Sequence, residues 1–184
     1  YETVTDVEEL MTWIAAARKQ GFVAVDTETD GLNPMSAKLV GVSLALAPGK
    51  ACYIPLGHRQ GGGDLFGSND LTAGQMPLEA ALTALKPVLE DDAILKIGQN
   101  LKYDILVLAR RGIELSPLDD TMLISYVLES GDVGHGMDEL SQRHLGHKPI
   151  SFKDVAGSGK SAISFDRVIA TLGRSPSLPR AATS

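Results

Sequence analysis

An α/β fold, a mixed β-sheet with helices against its faces, is the class this sequence predicts, and three observations predict it. Helical and strand-like periodicities alternate along the chain. The middle of the chain, from residue 77 to 112, passes from helix to short apolar strand to helix. The 184 residues, 43% of them hydrophobic and 22% charged, suffice for one domain with a sizeable core.

The elements follow in order. Val7, Leu10, Met11, Ile14 and Ala15 recur at helical spacing, with Thr5 as N-cap and Gly21 as the stop. Residues 22 to 27, 39 to 46 (LVGVSLAL) and 51 to 56 (ACYIPL) read as three strands joined by Gly and Pro turns, an antiparallel meander. The glycine-rich stretch from 57 to 75 lacks periodicity and reads as a mobile surface loop. A helix over 77 to 90, broken or bent near Pro87, leads to the strand ILKIGQ and the helix NLKYDILVLARRG. Further helices follow in LDDTMLISYVLESG and MDELSQRHLG, and no internal repeat is visible.

Within VAVDTETDGL, residues 23 to 32, a run suited to a buried strand ends in Asp26, Glu28 and Asp30. Asp26 and Glu28 are two apart and project to the same face, where they repel each other unless a divalent cation lies between them. The alternative is a solvated acidic turn, since Asp30-Gly31 is a turn signal. On this stretch alone both readings stay open. At IGQNLKYD, Asn100 takes the N-cap position and Asp104 lies four residues on, beside Tyr103, with Leu101, Ile105 and Leu108 facing the core. An acid in a first helical turn is also a common answer to the helix dipole. Asp120, after Asp119, reads as the cap of the next helix.

The net charge of -6 disfavours a protein that grips duplex DNA through a broad basic surface. An acidic enzyme that holds a single-stranded end through bound cations stays compatible with it. The single cysteine, Cys52, excludes an internal disulfide and reads as a buried small hydrophobe. No secretory signal or membrane span is visible, and the chain opens at Tyr1 like a fragment of something longer.

In this order, DTETDGL, GQNLKYD, DDTMLISYVL, HGMDELSQRHLGHKPISF and VAGSGKS closely resemble the proofreading domains of bacterial family A DNA polymerases, the DNA polymerase I type, within the DEDD exonuclease superfamily. The resemblance covers residues 1 to 168. It implies an RNase H-like fold, removal of nucleotides from a single-stranded DNA 3′ end, and two divalent cations, Mg²⁺ or Mn²⁺. It further implies a polymerase domain on the same parent chain, a cytoplasmic, nucleoid-associated setting and no membrane partner. By position, Asp26 matches the carboxylate bridging both metals, Glu28 a ligand of the metal that binds the nucleophilic water, and Asp104 the ligand of the second metal. Thr27, Gln99, Asn100 and Tyr103 match positions lining the terminal nucleotide's pocket, Leu32 and Phe152 positions that pack on bases, and Asp120 a support behind them.

One piece of the family pattern is absent. The third motif, Tyr-x-x-x-Asp, supplies a tyrosine that orients the attacking water and a further aspartate. Four residues after Tyr53, Tyr103 and Tyr126 stand Gly57, Val107 and Ser130. The His-x-x-x-x-Asp version fails as well, and the last acid is Asp166. Residues 169 to 184, rich in Ser, Pro, Ala and Arg, read as an unstructured or non-native tail, so the expectation is a truncated or frame-shifted domain with impaired activity. The alternatives are an inactive exonuclease-like module that binds nucleic acid and an RNA-trimming exonuclease of the RNase D kind. GSGKS at 157 to 161 lacks the first glycine of a Walker loop, Asp154 standing there, and His144 with His147 lacks a third zinc ligand nearby.

Overall fold

The computed structural model describes residues 1–59, 70–131, 133–150, 157 and 163–168. Six strands form one mixed sheet: β1 (Glu2–Thr3), β2 (Phe22–Thr29), β3 (Leu39–Ala47), β4 (Lys50–Pro55), β5 (Leu95–Gly98) and β6 (Leu118–Asp120). Their order is β1-β4-β3-β2-β5-β6. The expected antiparallel meander is β2-β3-β4, and β5 and β6 extend it in parallel to β2. Strands β1 and β6 were not expected from the sequence, because two or three residues are too few to show a period of two.

The two faces of the meander differ in kind. Val25, Leu44 and Cys52 stand side by side across β2, β3 and β4, and so do Asp26, Ser43 and Tyr53 one step along. The first row, with Val23, Val42, Leu46 and Ile54, joins one aliphatic cluster with Leu10 and Trp13 of α1 (Val7–Gln20) and Leu85 and Leu89 of α2 (Leu78–Leu89). Each such side chain contributes about 1.5–3 kcal/mol on full burial. The other face carries small residues around Asp26, namely Ala24, Gly41, Ser43, Ala45 and Ala51, with Tyr53 as the large side chain beyond Ser43.

Helix α1 begins one residue later than the sequence suggests. Asp6, not Thr5, is the N-cap, in extended conformation with its carboxylate accepting from the Glu9 N–H at 2.9 Å. A carboxylate caps as well as a hydroxyl and also suits the positive helix end. Gly21 ends α1 as expected, in the left-handed conformation at φ 83°. Helix α2 runs through Pro87 instead of breaking there and ends two residues later, at Leu89, the proline removing one i to i−4 bond from its last turn. Three further α-helices and one short 3-10 helix follow among the described residues: α3 (Lys102–Ala109), α4 (Thr121–Leu128), α5 (Met137–Leu145) and the 3-10 turn Phe165–Arg167.

Of the glycine-rich stretch, residues 60–69 lie outside the described residues. Its flanks are tied together: Arg59 and Leu71 form an isolated antiparallel bridge, and Gln75 bonds both the N–H and the carbonyl of His58, at 2.7 and 2.8 Å. Cys52 is buried, as read from the sequence.

Candidate active site

Strand β2 lies inside the sheet between β3 and β5, and its last residues carry the acids. Asp26 and Glu28 stand on the small-residue face, opposite Ser43 and Gly41 respectively. Asp30 has a different task. Its N–H and carboxylate bond the carbonyl and N–H of Lys38, at 3.1 and 2.7 Å, and close the turn between β2 and β3. The acidic-turn reading therefore describes Asp30 and leaves Asp26 and Glu28 unexplained by it.

Asp104 reaches the end of β2 from α3. Its Oδ1 accepts from the Thr27 N–H at 2.8 Å and the Thr27 hydroxyl at 2.6 Å, and both residues are buried. Thr27 is thus committed to Asp104. Asp104 acts on both strand acids, and Glu28 acts on Asp26. Burial and then the charges of Glu28 and Asp104 hold Asp26 well above the ordinary aspartate range. Burial and then Asp104 push Glu28 up to about 7. Asp104 is raised by burial against the opposing pull of its bonds to Thr27. Among the described residues, no three His, Cys, Asp or Glu side chains stand close enough to hold one ion as they lie. The acids nonetheless form an all-oxygen set whose charges lack compensation, which is the donor chemistry of a hard divalent cation.

The turn between β5 and α3 is built by a residue twenty positions on. The buried Asp120 carboxylate accepts from the N–H groups of Asn100 and Leu101, each at 2.9 Å, and also caps α4 through Met122 and Leu123 at 2.9 and 3.4 Å. This corrects the reading of Asn100 as an N-cap. Leu101 occupies that position, and Asn100 precedes the helix at φ 57°, left-handed and exposed, a conformation that asparagine tolerates. Asn100 and Asp104 therefore do not share a helical face. Gly98 is required beside them: a Cβ there would lie 2.3 Å from the Leu101 side chain and 2.9 Å from the Val25 carbonyl.

The remaining residues singled out in the sequence divide by position. The Tyr103 hydroxyl lies 2.5 Å from both the Gly31 carbonyl and Thr29 Oγ1, pinning α3 to the turn after β2. Beyond that turn Leu32 is 97% exposed, with its whole side chain available to a ligand. Gln99 donates to the His135 carbonyl at 2.8 Å and accepts from the Thr121 hydroxyl. Phe152 lies outside the described residues, as does most of GSGKS. His144 lines a cavity of about 310 Å³ beside Asp26, together with Ala24, Ile97, Ile124 and Leu140. The network sequence reading missed is Tyr53 with His58, whose hydroxyl and Nε2 are 2.7 Å apart. Only the period-two alternation placing Tyr53 on one face of β4 hinted at it.

The model of the 3′-5′ exonuclease family matches residues 1–170. DNA polymerase I of Rhizobium leguminosarum is 52% identical over 177 residues, 91% of this chain and 17% of that protein. DNA polymerase I of Pseudomonas aeruginosa is 39% identical over 171 residues, 91% of this chain and 18% of that protein. The chain thus spans less than a fifth of these relatives' length. Brucella melitensis NrnC, solved bound to pGG, superposes with a TM-score of 0.53 at 28% identity, over 71% of this chain and 55% of NrnC. Escherichia coli RNase D shares the fold alone, with a TM-score of 0.57 at 21% identity over 80% of this chain and 34% of its own.

Proposed function

The chain belongs to the 3′-5′ exonuclease family, and on that premise we propose that it is the proofreading domain of a DNA polymerase I, built to hydrolyse phosphodiesters at the 3′ end of single-stranded DNA. The observation that carries the reading is the convergence of Asp104, from α3, on Asp26 and Glu28 at the end of an internal strand: burial raises all three, and the charge of Asp104 adds to it at both strand acids. Carboxylates arranged at that cost have a use when cations neutralise them.

Asp26 and Glu28 would hold Mg²⁺ or Mn²⁺ from the small-residue face, and Asp104 from the α3 side. Bound there, two such cations supply activation of water and stabilisation of the leaving 3′ oxygen. The rest falls to the chain. Thr27 fixes the rotamer of Asp104 through two bonds. Asp120 sets the turn that presents Asn100, and Tyr103 fixes the turn that presents Leu32. Leu32, and Phe152 with it, would pack on bases without reading them, and exposed Asn100 and half-buried Gln99 would meet the terminal nucleotide. NrnC, solved bound to pGG, is similar to this chain in fold and at 28% identity. In this reading residues 1–168 are the domain and 169–184 lie outside it.

A second reading, an inactive module that binds nucleic acid, is favoured by the absence of a closed three-acid cluster among the described residues. Degradation of 3′-labelled single-stranded DNA in Mn²⁺, in Mg²⁺ and in EDTA separates the two. The exonuclease reading expects shortening from the 3′ end that EDTA abolishes, slow in the chain as it stands. Binding of DNA without shortening, even when a Tyr-x-x-x-Asp helix is appended, selects the module. RNA offered beside the DNA tests the RNase D-like alternative.

A further inference from the structure

Tyr53 stands in β4 opposite Ser43, and Ser43 opposite Asp26, so the phenol leaves the sheet on the face that carries Asp26 and Glu28. Its ring does not point straight out. It lies across Gly41, where an added Cβ would sit 2.0 Å from the hydroxyl oxygen and 2.3 Å from the adjoining ring carbon. Gly41 is the partner of Glu28 across the β2–β3 ladder. Directly opposed residues have their Cβ atoms about 5 Å apart, so lying across Gly41 places the Tyr53 hydroxyl next to the ladder position from which the Glu28 side chain extends. The two carboxylates also act on the phenol: after burial, Glu28 and then Asp26 push Tyr53 well above its ordinary range.

The hydroxyl is held in that place from behind. His58 Nε2 is 2.7 Å from it, with the two rings edge to face at 5.7 Å between centroids. His58 itself is 3% exposed, clamped by Gln75 on both backbone groups and backed by the ring of Phe165 at 5.7 Å. Packing alone does not call for an imidazole in so buried a place. A carboxylate only accepts, so the phenol proton is free for Glu28 when His58 carries its proton on Nε2 and donates to the hydroxyl oxygen.

We propose that Tyr53 is a positioning residue for Glu28: its hydroxyl, fixed by His58 and given room by Gly41, steadies the Glu28 carboxylate in the orientation that grips a cation. The inference rests on the metal-binding part of the proposed function. Partners behind a ligand orient it, and their loss weakens metal affinity by about 10- to 100-fold.

The test is Mn²⁺ binding to the whole chain, measured by titration calorimetry beside thermal unfolding of the metal-free forms. Tyr53→Phe removes only the hydroxyl and is expected to weaken Mn²⁺ binding about tenfold or more while still unfolding cooperatively. His58→Ala should weaken it likewise. His58→Gln, which keeps an amide able to meet the hydroxyl, should recover most of the loss, as a merely space-filling histidine would not require. Tyr53→Phe binding Mn²⁺ within about twofold of the unchanged chain, while Glu28→Gln binds far more weakly, would overturn the role of Tyr53 and leave the proposed function standing. An unchanged chain that binds no Mn²⁺, or binds it no better than Asp26→Asn, would overturn both.

Discussion

Two carboxylates decide the behaviour of the metal-free protein. Glu28 is raised to about 7 in the folded chain from an ordinary value of 4.5, with burial the larger cause and Asp104 the second. The folded state then holds a proton that the unfolded state has released, so stability is lost as pH rises through the window from 4.5 to about 7. Asp26, raised in the same sense, adds to the loss. Thermal unfolding of the EDTA-treated chain should accordingly show Tm falling across that window and recovering when Mg²⁺ is added. A flat profile would mean that neither acid is burdened by its neighbours. Asp26→Asn should raise Tm by a few degrees at pH 8 without metal and remove the response to Mg²⁺. A melting curve for that variant that still responds to Mg²⁺ would take Asp26 out of the metal site. Both acids were visible in the sequence as same-face neighbours on a strand. Asp30 resembled them there, and only its bonds to Lys38 reveal it as a turn residue.

At the scale of elements, the site depends on the β5–α3 turn and on Asp120, which serves that turn and α4 at once. Asp120→Ala leaves up to four N–H groups without their acceptor and should cost at least about 2 kcal/mol, read from the urea midpoint. Asp120→Asn, keeping one acceptor oxygen, should cost less; a loss below about 0.5 kcal/mol for alanine would show that water replaces the carboxylate. Sequence reading identified Asp120 as a cap because a cap is a local matter. Its second bond set, to Asn100 and Leu101, crosses from β6 to β5 and no spacing rule reports it. The same limit explains Asn100: the residue type suits an N-cap, but the demands of the turn place it at positive φ one step earlier. Strands β2, β3 and β4 were legible because each is long enough to show its pattern.

Across the whole molecule, one sheet separates two kinds of chemistry. Its aliphatic face, packed by α1 and α2, supplies the stability that tolerates repelling acids on the other. The division is readable from the alternation in β2, β3 and β4, whereas the Tyr53–His58 pair joins β4 to a residue beyond its end, where no alternation reports it. The proposed function takes Asp26, Glu28 and Asp104 as part of a catalytic unit that a Tyr-x-x-x-Asp helix would complete. Within such a unit losses are not additive, so Asp104→Ala should cost the chain as it stands little further activity. A large further loss would show that the present acids already work as a complete site. The most direct measurement is the Mn²⁺-dependent release of nucleotides from 3′-labelled single-stranded DNA by this chain and by the same chain continued with a Tyr-x-x-x-Asp helix. EDTA-sensitive 3′ shortening, several orders of magnitude faster in the extended chain, is the expected result. Metal-independent shortening, or no shortening by either chain while both bind DNA, would contradict it.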